Sequence, residues 1–209
     1  MKRIIKYILI LLVIGLVGYK SVYFKKLSEI KDTTVDKFDA VDFSKKLWEE
    51  KLPVKMDSAI ELTNLITVIQ TSAVEAFSKY SNAIGIGNYR YSLVRATGTV
   101  AVINEDDIII QVSHADSLMT IRLVTEYVYG NALRDASGLV DIKDFTNTAD
   151  LNNISEELNK TVRISVLPEF KKQVKQGDKI EVTGAVEFNK EHINFKDMEL
   201  IPARIKILK

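Results

Sequence analysis

The chain has 209 residues, 46% of them hydrophobic, with 9 glycines, 3 prolines and no cysteine. That composition is globular, and it excludes a disulfide framework, thiol chemistry and a cysteine metal site. The net charge of +1 conceals an asymmetry. Six of the 29 basic residues (Lys2, Arg3, Lys6, Lys20, Lys25, Lys26) lie in residues 1–26 with no acid among them, so the remaining 23 face 28 acidic residues, a net of −5. An acidic body argues against a nucleic-acid surface, which needs a basic field.

Ile4 to Phe24 is an apolar run interrupted only by Lys6 and Lys20 near its ends. As a helix it measures about 31 Å, the thickness of a bilayer core. The lysines can snorkel to headgroups, and Tyr7, Tyr19 and Tyr23 sit where an aromatic belt would sit. A cleaved signal peptide is the competing reading, with a basic start and an apolar stretch from Tyr7 to Tyr19. A cut after Gly18 would put Leu16 at the −3 position, and a cut after Ser21 would put Tyr19 there. Cleavage favours small residues at −3, so the residues favour an uncleaved anchor over 1–26. Leu16-Val17-Gly18-Tyr19 has the layout of a lipoprotein signal, yet Tyr19 has no thiol to lipidate. Charge does not orient the helix, because Lys2, Arg3 and Lys6 are balanced by Lys20, Lys25 and Lys26.

From Asp32 to about Ala83 the pattern is helical. Phe43 and Leu47, with Trp48 beside them, mark one apolar face ahead of Pro53. Asp57 is placed to cap a second helix carrying Ile60, Leu65, Ile66 and Ile69. Ser72 is placed to cap a third with Val74, Phe77 and Tyr80. Residues 27–84 are therefore expected to form a small helical subdomain. Gly85-Ile86-Gly87-Asn88 breaks the pattern. It reads as a linker turn; a phosphate loop would need a preceding strand and a following Lys-Ser/Thr.

Beyond Gly85 the period changes to two. "SLVRATGTVAVI", "DIIIQVS" and "LMTIRLVTEYVY" read as three strands, Thr148 to Lys160 as a helix with Leu151, Ile154 and Leu158 on one face, and "DKIEVTGAVEF" as a fourth strand. A fifth spans His192 to Leu208, broken by Pro202. The expected fold is α+β: an N-terminal transmembrane or signal helix, the helical subdomain, and over 85–209 an OB-like five-stranded β-barrel with a helix between strands 3 and 4. Gly98 and Gly184 are positions for strand bends or bulges.

"FDAVDFSKKLWEEKLPV", "RATGTVAVIN", "YGNALRDASGLVDIKDFTN" and "GDKIEVTGAV" together resemble an uncharacterised bacterial family of predicted periplasmic lipoproteins, a domain of unknown function. The resemblance covers most of residues 38–187, and its most specific block is Gly130 to Asn147. It implies a helical subdomain followed by an OB-like barrel at the cell envelope. Genes of the family often lie beside sugar ABC transporters, which implies a place near sugar uptake. No family activity or catalytic residue comes with it. The family's lipidated cysteine falls at Tyr19, so outer-membrane sorting by lipid is not expected. A cytoplasmic (inner) membrane location follows, single-pass, with the domain on the extracytoplasmic side.

Asn131, Arg134, Asp135, Asp144 and Asn147 are crowded around Gly130 and Gly138. Fixed donors and acceptors of these types suit a sugar or another small polar ligand. The same residues also suit a structural role: Arg134 and Asp135 as an ion pair pinning a crossover, Asp144 and Asn147 as helix caps. Asp135, Asp141 and Asp144 offer paired carboxylates, but hydrolysis needs a defined separation across a cleft that spacing does not establish. His114 and His192 are the only histidines and show no metal spacing. Glu105-Asp106-Asp107 reads as a hairpin turn. Tyr89-Arg90-Tyr91 with Arg95 interleaves aromatic and basic residues, as single-strand binders do, but reads better as a strand edge over the core. "EFKKQVKQGDK" reads as a solvated helix and turn.

The expected function is that of a membrane-anchored extracytoplasmic binding or accessory module, whose partners are the membrane and either ABC transporter components or a small polar ligand such as a sugar. No catalysis, cofactor, metal or nucleic-acid partner is expected. A structural scaffold of an envelope complex is the alternative, and a hydrolase ranks below both.

Overall fold

The structure, a computed structural model, describes residues 2–21 and 38–208. Tyr23, Phe24 and the helical start at Asp32 lie outside the described residues. Contacts divide the chain into two compact units, Met1–Phe38 and Asp39–Lys209.

In the first unit, α1 (Lys2–Ser21) carries no acid in its first turn and Lys20 in its last. A cation there complements the negative end of the helix dipole. The described side chains from Ile4 to Ser21 are all exposed. A helix apolar on every side needs an apolar surrounding, and Ile4–Ser21 is long and apolar enough to cross a membrane.

The second unit opens with α2 (Ala40–Lys46), capped by Asp39, whose Oδ1 accepts from the Val41 and Asp42 amides at 3.0 Å each. A π-helical turn (Leu47–Lys51) and α3 (Leu52–Asp57) continue it. Strand β1 (Ile60–Glu61), α4 (Leu62–Thr71) and α5 (Ala73–Tyr80) follow. Ile60 is thus in a strand, not a helix, pairing parallel with Val94. Asp57 ends α3 instead of capping the next helix, and its Oδ1 accepts from Arg204 Nη1 at 2.8 Å. Ser72 does cap α5, accepting from the Glu75 amide.

Then come β2 (Tyr89–Ile103), β3 (Asp107–His114), β4 (Ser117–Val124), α6 (Ala132–Ser137), a 3-10 turn (Ile142–Asp144), α7 (Thr148–Thr161), a second π-helical turn (Val162–Val166), α8 (Leu167–Gln173), β5 (Lys179–Asn189) and β6 (Met198–Leu208). The spatial order is β1-β2-β3-β4-β6-β5, and β5 returns to β2, closing a barrel of the five long strands. β4 and β6 pair in parallel and the other long strands antiparallel. The third strand stops at Val124, short of the expected Tyr129. β6 is not broken at Pro202, which sits opposite Gly184, where a register shift between β5 and β6 absorbs Ala203. Glycine is required at 184, because a Cβ there would lie 2.1 Å from the Ile201 carbonyl oxygen.

The sequence pattern places a boundary at Gly85, but by contacts Asp39–Lys209 is one unit. Leu62, Leu65, Ile66 and Ile69 on α4 and Phe77 on α5 join Val94, Ile108, Ile110, Ile121, Leu123, Ile180 and Val182 in one core. On the outside, α6 packs on β2 and β5, and α7 packs on α2 and α6. Tyr91 to Val94 and Val182 to Val186 are consequently buried without alternation, since that part of the barrel wall is covered on both faces.

Candidate functional site

The Gly130–Asn147 block folds into this outer layer. All six residues of α6 are buried, and Gly138 ends the helix in the left-handed region at φ +61. Asn82 packs against it; a Cβ at 138 would lie 2.9 Å from Asn82 Nδ2. Arg134 is 7% exposed and Asp135 2%. Their ion pair, Nε to Oδ1, measures 2.7 Å. Arg134 Nη1 donates to the Leu151 carbonyl on α7 at 3.0 Å, and Asn131 Nδ2 donates to the other Asp135 oxygen at 2.6 Å. Each Asp135 oxygen thus has a donor, and the guanidinium is tied to two elements at once.

The network reaches the barrel through Tyr91, whose side chain hydrogen-bonds Asn131. Burial pushes the Tyr91 hydroxyl above its ordinary pKa. The Asn131 hydrogen bond opposes this, and the charges of Glu187 and Asp135 add to it. Asn82 exchanges backbone hydrogen bonds with Tyr91 at 2.8 and 2.9 Å and donates from its side chain to the Ala136 carbonyl at 3.3 Å. From α7, buried Asn159 donates to the Gly130 carbonyl at 2.8 Å. Tyr91, Asn82 and Asn159 were not singled out as members of this cluster by the sequence.

Asp144 and Asn147 sit apart from that network. Asp144 is exposed in the 3-10 turn, which Asp141 caps by accepting from the Lys143 amide at 3.0 Å. Asn147 caps α7, accepting from the Asp150 amide at 3.0 Å and donating to its carboxylate at 2.8 Å. Asp135 and Asp144 do border one hollow of about 310 Å³, with Asn82, Gly138 and Asp141. Its lining is acidic, so it can accept hydrogen bonds from hydroxyl or amine donors. Among the described residues no group of three or more His, Asp or Glu side chains could hold a metal ion.

The other singled-out residues serve the fold. Arg95 pairs with Glu61 at 3.0 Å and donates to the Ala59 carbonyl at 2.9 Å, holding β1 to β2. Arg90 turns back to the Gly87 and Tyr89 carbonyls. His114 Nε2 lies 3.2 Å from Thr67 Oγ1. Phe170 and Val174 of the basic "EFKKQVKQGDK" stretch enter the core. Glu105 to Asp107 form the expected turn, with the Asn104 amide donating to the Asp107 carbonyl at 2.9 Å.

The family model described as "Predicted periplasmic lipoprotein (DUF2291)" matches residues 12–206. The chain belongs to this family. As a DUF2291 protein it is an extracytoplasmic, membrane-associated module of the cell envelope, here without the cysteine that carries a lipid. Comparison with curated proteins gives no match. Among solved structures, an OB-fold protein from Thermotoga maritima is 24% identical, covers 83% of this chain and 100% of its own, and superposes with a TM-score of 0.72. That likeness shows the OB fold. The S. pombe Stn1-Ten1 complex (13% identity, 56% of this chain and 58% of that one, TM-score 0.25) and an OBody bound to hen egg-white lysozyme (14%, 61% and 87%, TM-score 0.28) are too distant in shape to bear on function.

Proposed function

We propose that this DUF2291 protein is a single-pass, helix-anchored binding or accessory module of the cytoplasmic (inner) membrane, with its OB domain outside. In this reading it recognises a small polar ligand such as a sugar, or a component of a sugar ABC transporter. The observation that carries it is α1: a helix apolar on every side, in a family otherwise described as lipoproteins, in a chain with no cysteine. The helix supplies the attachment that the lipid would supply, and more firmly than one acyl chain. Polar recognition falls at the acidic hollow bordered by Asp135, Asp141 and Asp144, which suits hydroxyl donors, with Asn131 and Arg134 holding Asp135 in its wall. In this reading the module binds without turnover, with Arg134 and Asp135 paired to each other at 2.7 Å as a fixed wall of the site.

The test is affinity capture from membranes of cells expressing the tagged full chain. Co-purification of transporter subunits, or ligand-dependent stabilisation by a sugar, is the expected result. Neither result, with an intact fold, favours the scaffold reading. That reading draws on a specific observation, the engagement of both oxygens of Asp135 within the protein.

A further inference from the structure

β4 and β6 are parallel neighbours over a short stretch only, residues 121–123 against 198–200. Before that ladder begins, the two chains part. A hollow of about 510 Å³ lies in the gap, bordered by residues 117–120 of β4, by residues 195–197 on the approach to β6, and by Ile66 and Gln70 of α4. Side chains of successive strand residues point to opposite faces. Consecutive residues of β4 can therefore border one hollow only along the edge of the strand. That edge is unpaired. Ala115, at φ +50, and Asp116 form the turn of the β3–β4 hairpin, so His114 and Ser117 are its closing hydrogen-bonded pair. By alternation, Leu118 and Thr120 turn their backbone groups away from β3. The Leu118 N–H and C=O and the Thr120 N–H thus face the hollow, and no described backbone group bonds to them there.

The charged groups on the opposite wall are also uncommitted. Lys196 and Asp197 are adjacent, exposed and opposite in sign, and neither side chain has an ion pair or hydrogen bond among the described residues. The exposed Gln70 amide is free in the same sense. His114 is engaged, with Nε2 3.2 Å from Thr67 Oγ1, and Ser117 Oγ donates to the His114 carbonyl at 3.1 Å. Ile66 is the buried apolar floor, with half-buried Met119 and Phe195 beside it. A thioether adapts to side chains of several shapes.

We propose that this cleft binds a short free oligopeptide in extended form, added as a strand along the edge of β4. An extended peptide presents N–H and C=O groups along one edge at a repeat of about 7 Å, the spacing from Leu118 to Thr120. A saccharide has no such repeat. The edge from Ser117 to Thr120 spans about 13 Å, room for about three peptide residues. A free peptide also carries one ammonium and one carboxylate, which Asp197 and Lys196 complement. A segment within a longer chain carries neither. One peptide side chain lies over Ile66, Met119 and Phe195. The site is separate from the acidic hollow, and its ligand class differs from the one proposed there.

The probe is a set of tripeptides Ala-X-Ala with free termini, X covering every residue type, incubated with the full chain in detergent. Peptides that co-elute with the protein are identified by mass spectrometry and titrated by calorimetry. Retention of members with an apolar X is expected. Thr120→Pro removes an outward N–H while leaving the β3 ladder in place, and should lower affinity about tenfold. Amidating the peptide carboxyl should weaken binding about threefold in the wild type and not at all in Lys196→Gln. Acetylating its amine should do the same with Asp197→Asn. Both of these residues are exposed, so these variants test the site even if Thr120→Pro fails to fold. No retained tripeptide, or retained tripeptides indifferent to all three substitutions, would overturn the site. Doubly capped peptides that bind as tightly as free ones would overturn the free oligopeptide and favour an extended segment of a partner chain. Sugar stabilisation and transporter capture are read separately, so this site and the acidic hollow can fail independently.

Discussion

Tyr91 on β2 and Glu187 on β5 stand directly opposite each other in the barrel ladder, and the Tyr91 side chain also meets Asn131 from the outer layer. A tyrosine so placed resists ionisation, chiefly because burial penalises the phenolate and secondarily because Glu187 is negative. In the folded protein its pKa is above the unfolded value, near 10.0. The native state therefore holds this proton more tightly. The stability that it contributes is fully present below about pH 10 and is lost as pH rises through the folded value. Wild-type protein should lose stability in that alkaline window, and Tyr91→Phe should lose less. Denaturant midpoints of the two proteins across that range, together with ultraviolet titration of the tyrosines, measure it. Parallel curves would mean that Tyr91 is not the group responsible.

Arg134→Ala removes the cation that neutralises Asp135 and the donor that reaches Leu151. An uncompensated buried carboxylate should cost about 3–5 kcal/mol. Arg134→Lys should recover only part of this, because one ammonium lacks the planar fork that serves Asp135 and α7 together. Thermal melts report the difference. A small loss in Arg134→Ala, with a defect in capture or ligand stabilisation, would shift the residue from pinning the layer to contacting a ligand.

The barrel was legible in the chain because alternation and strand order are local signals. "DIIIQVS" and "DKIEVTGAVEF" became β3 and β5 almost as read. Ile60 was misread because it sits in a helix-period pattern while only two residues pair with β2. Pro202 was misread because proline breaks a ladder unless a register shift accommodates it, and the shift depends on Gly184, distant in sequence. The separate helical subdomain fared similarly: the period of α4 is visible in sequence, but the strands that its apolar face meets are not. In the Gly130–Asn147 block the polar residues were visible. Their partners Tyr91, Asn82 and Asn159 were not, since each arrives from another element.

Gly184→Ala tests the bulge. The added Cβ would lie 2.1 Å from the Ile201 carbonyl oxygen and 2.7 Å from Leu200 Cδ2, so backbone must move. A loss of about 1–3 kcal/mol is expected. At Gly177, by contrast, nothing lies within 4 Å of an added Cβ, but φ is +90. Gly177→Ala should cost only the strain of that conformation, of order 1 kcal/mol. Equal losses at the two sites by chemical denaturation would show that steric crowding at Gly184 is relieved more easily than its backbone contacts imply.

The anchor can be tested by restoring what Tyr19 replaces. If Leu16-Val17-Gly18-Tyr19 retains the layout of a lipoprotein signal, Tyr19→Cys supplies the missing nucleophilic thiol. The chain should then be lipidated, cut before residue 19 and recovered with the mass of a diacylated mature form. The wild-type chain should keep its N-terminus and resist carbonate extraction, because α1 stays in the bilayer. Mass spectrometry of the two membrane-bound forms decides it. A lipidated variant beside an intact wild type means that a single position exchanges one attachment for the other. An unmodified variant means that the layout has drifted beyond recognition and α1 functions only as a helix. A shortened, soluble wild type would overturn the anchor and make the OB domain a diffusible protein.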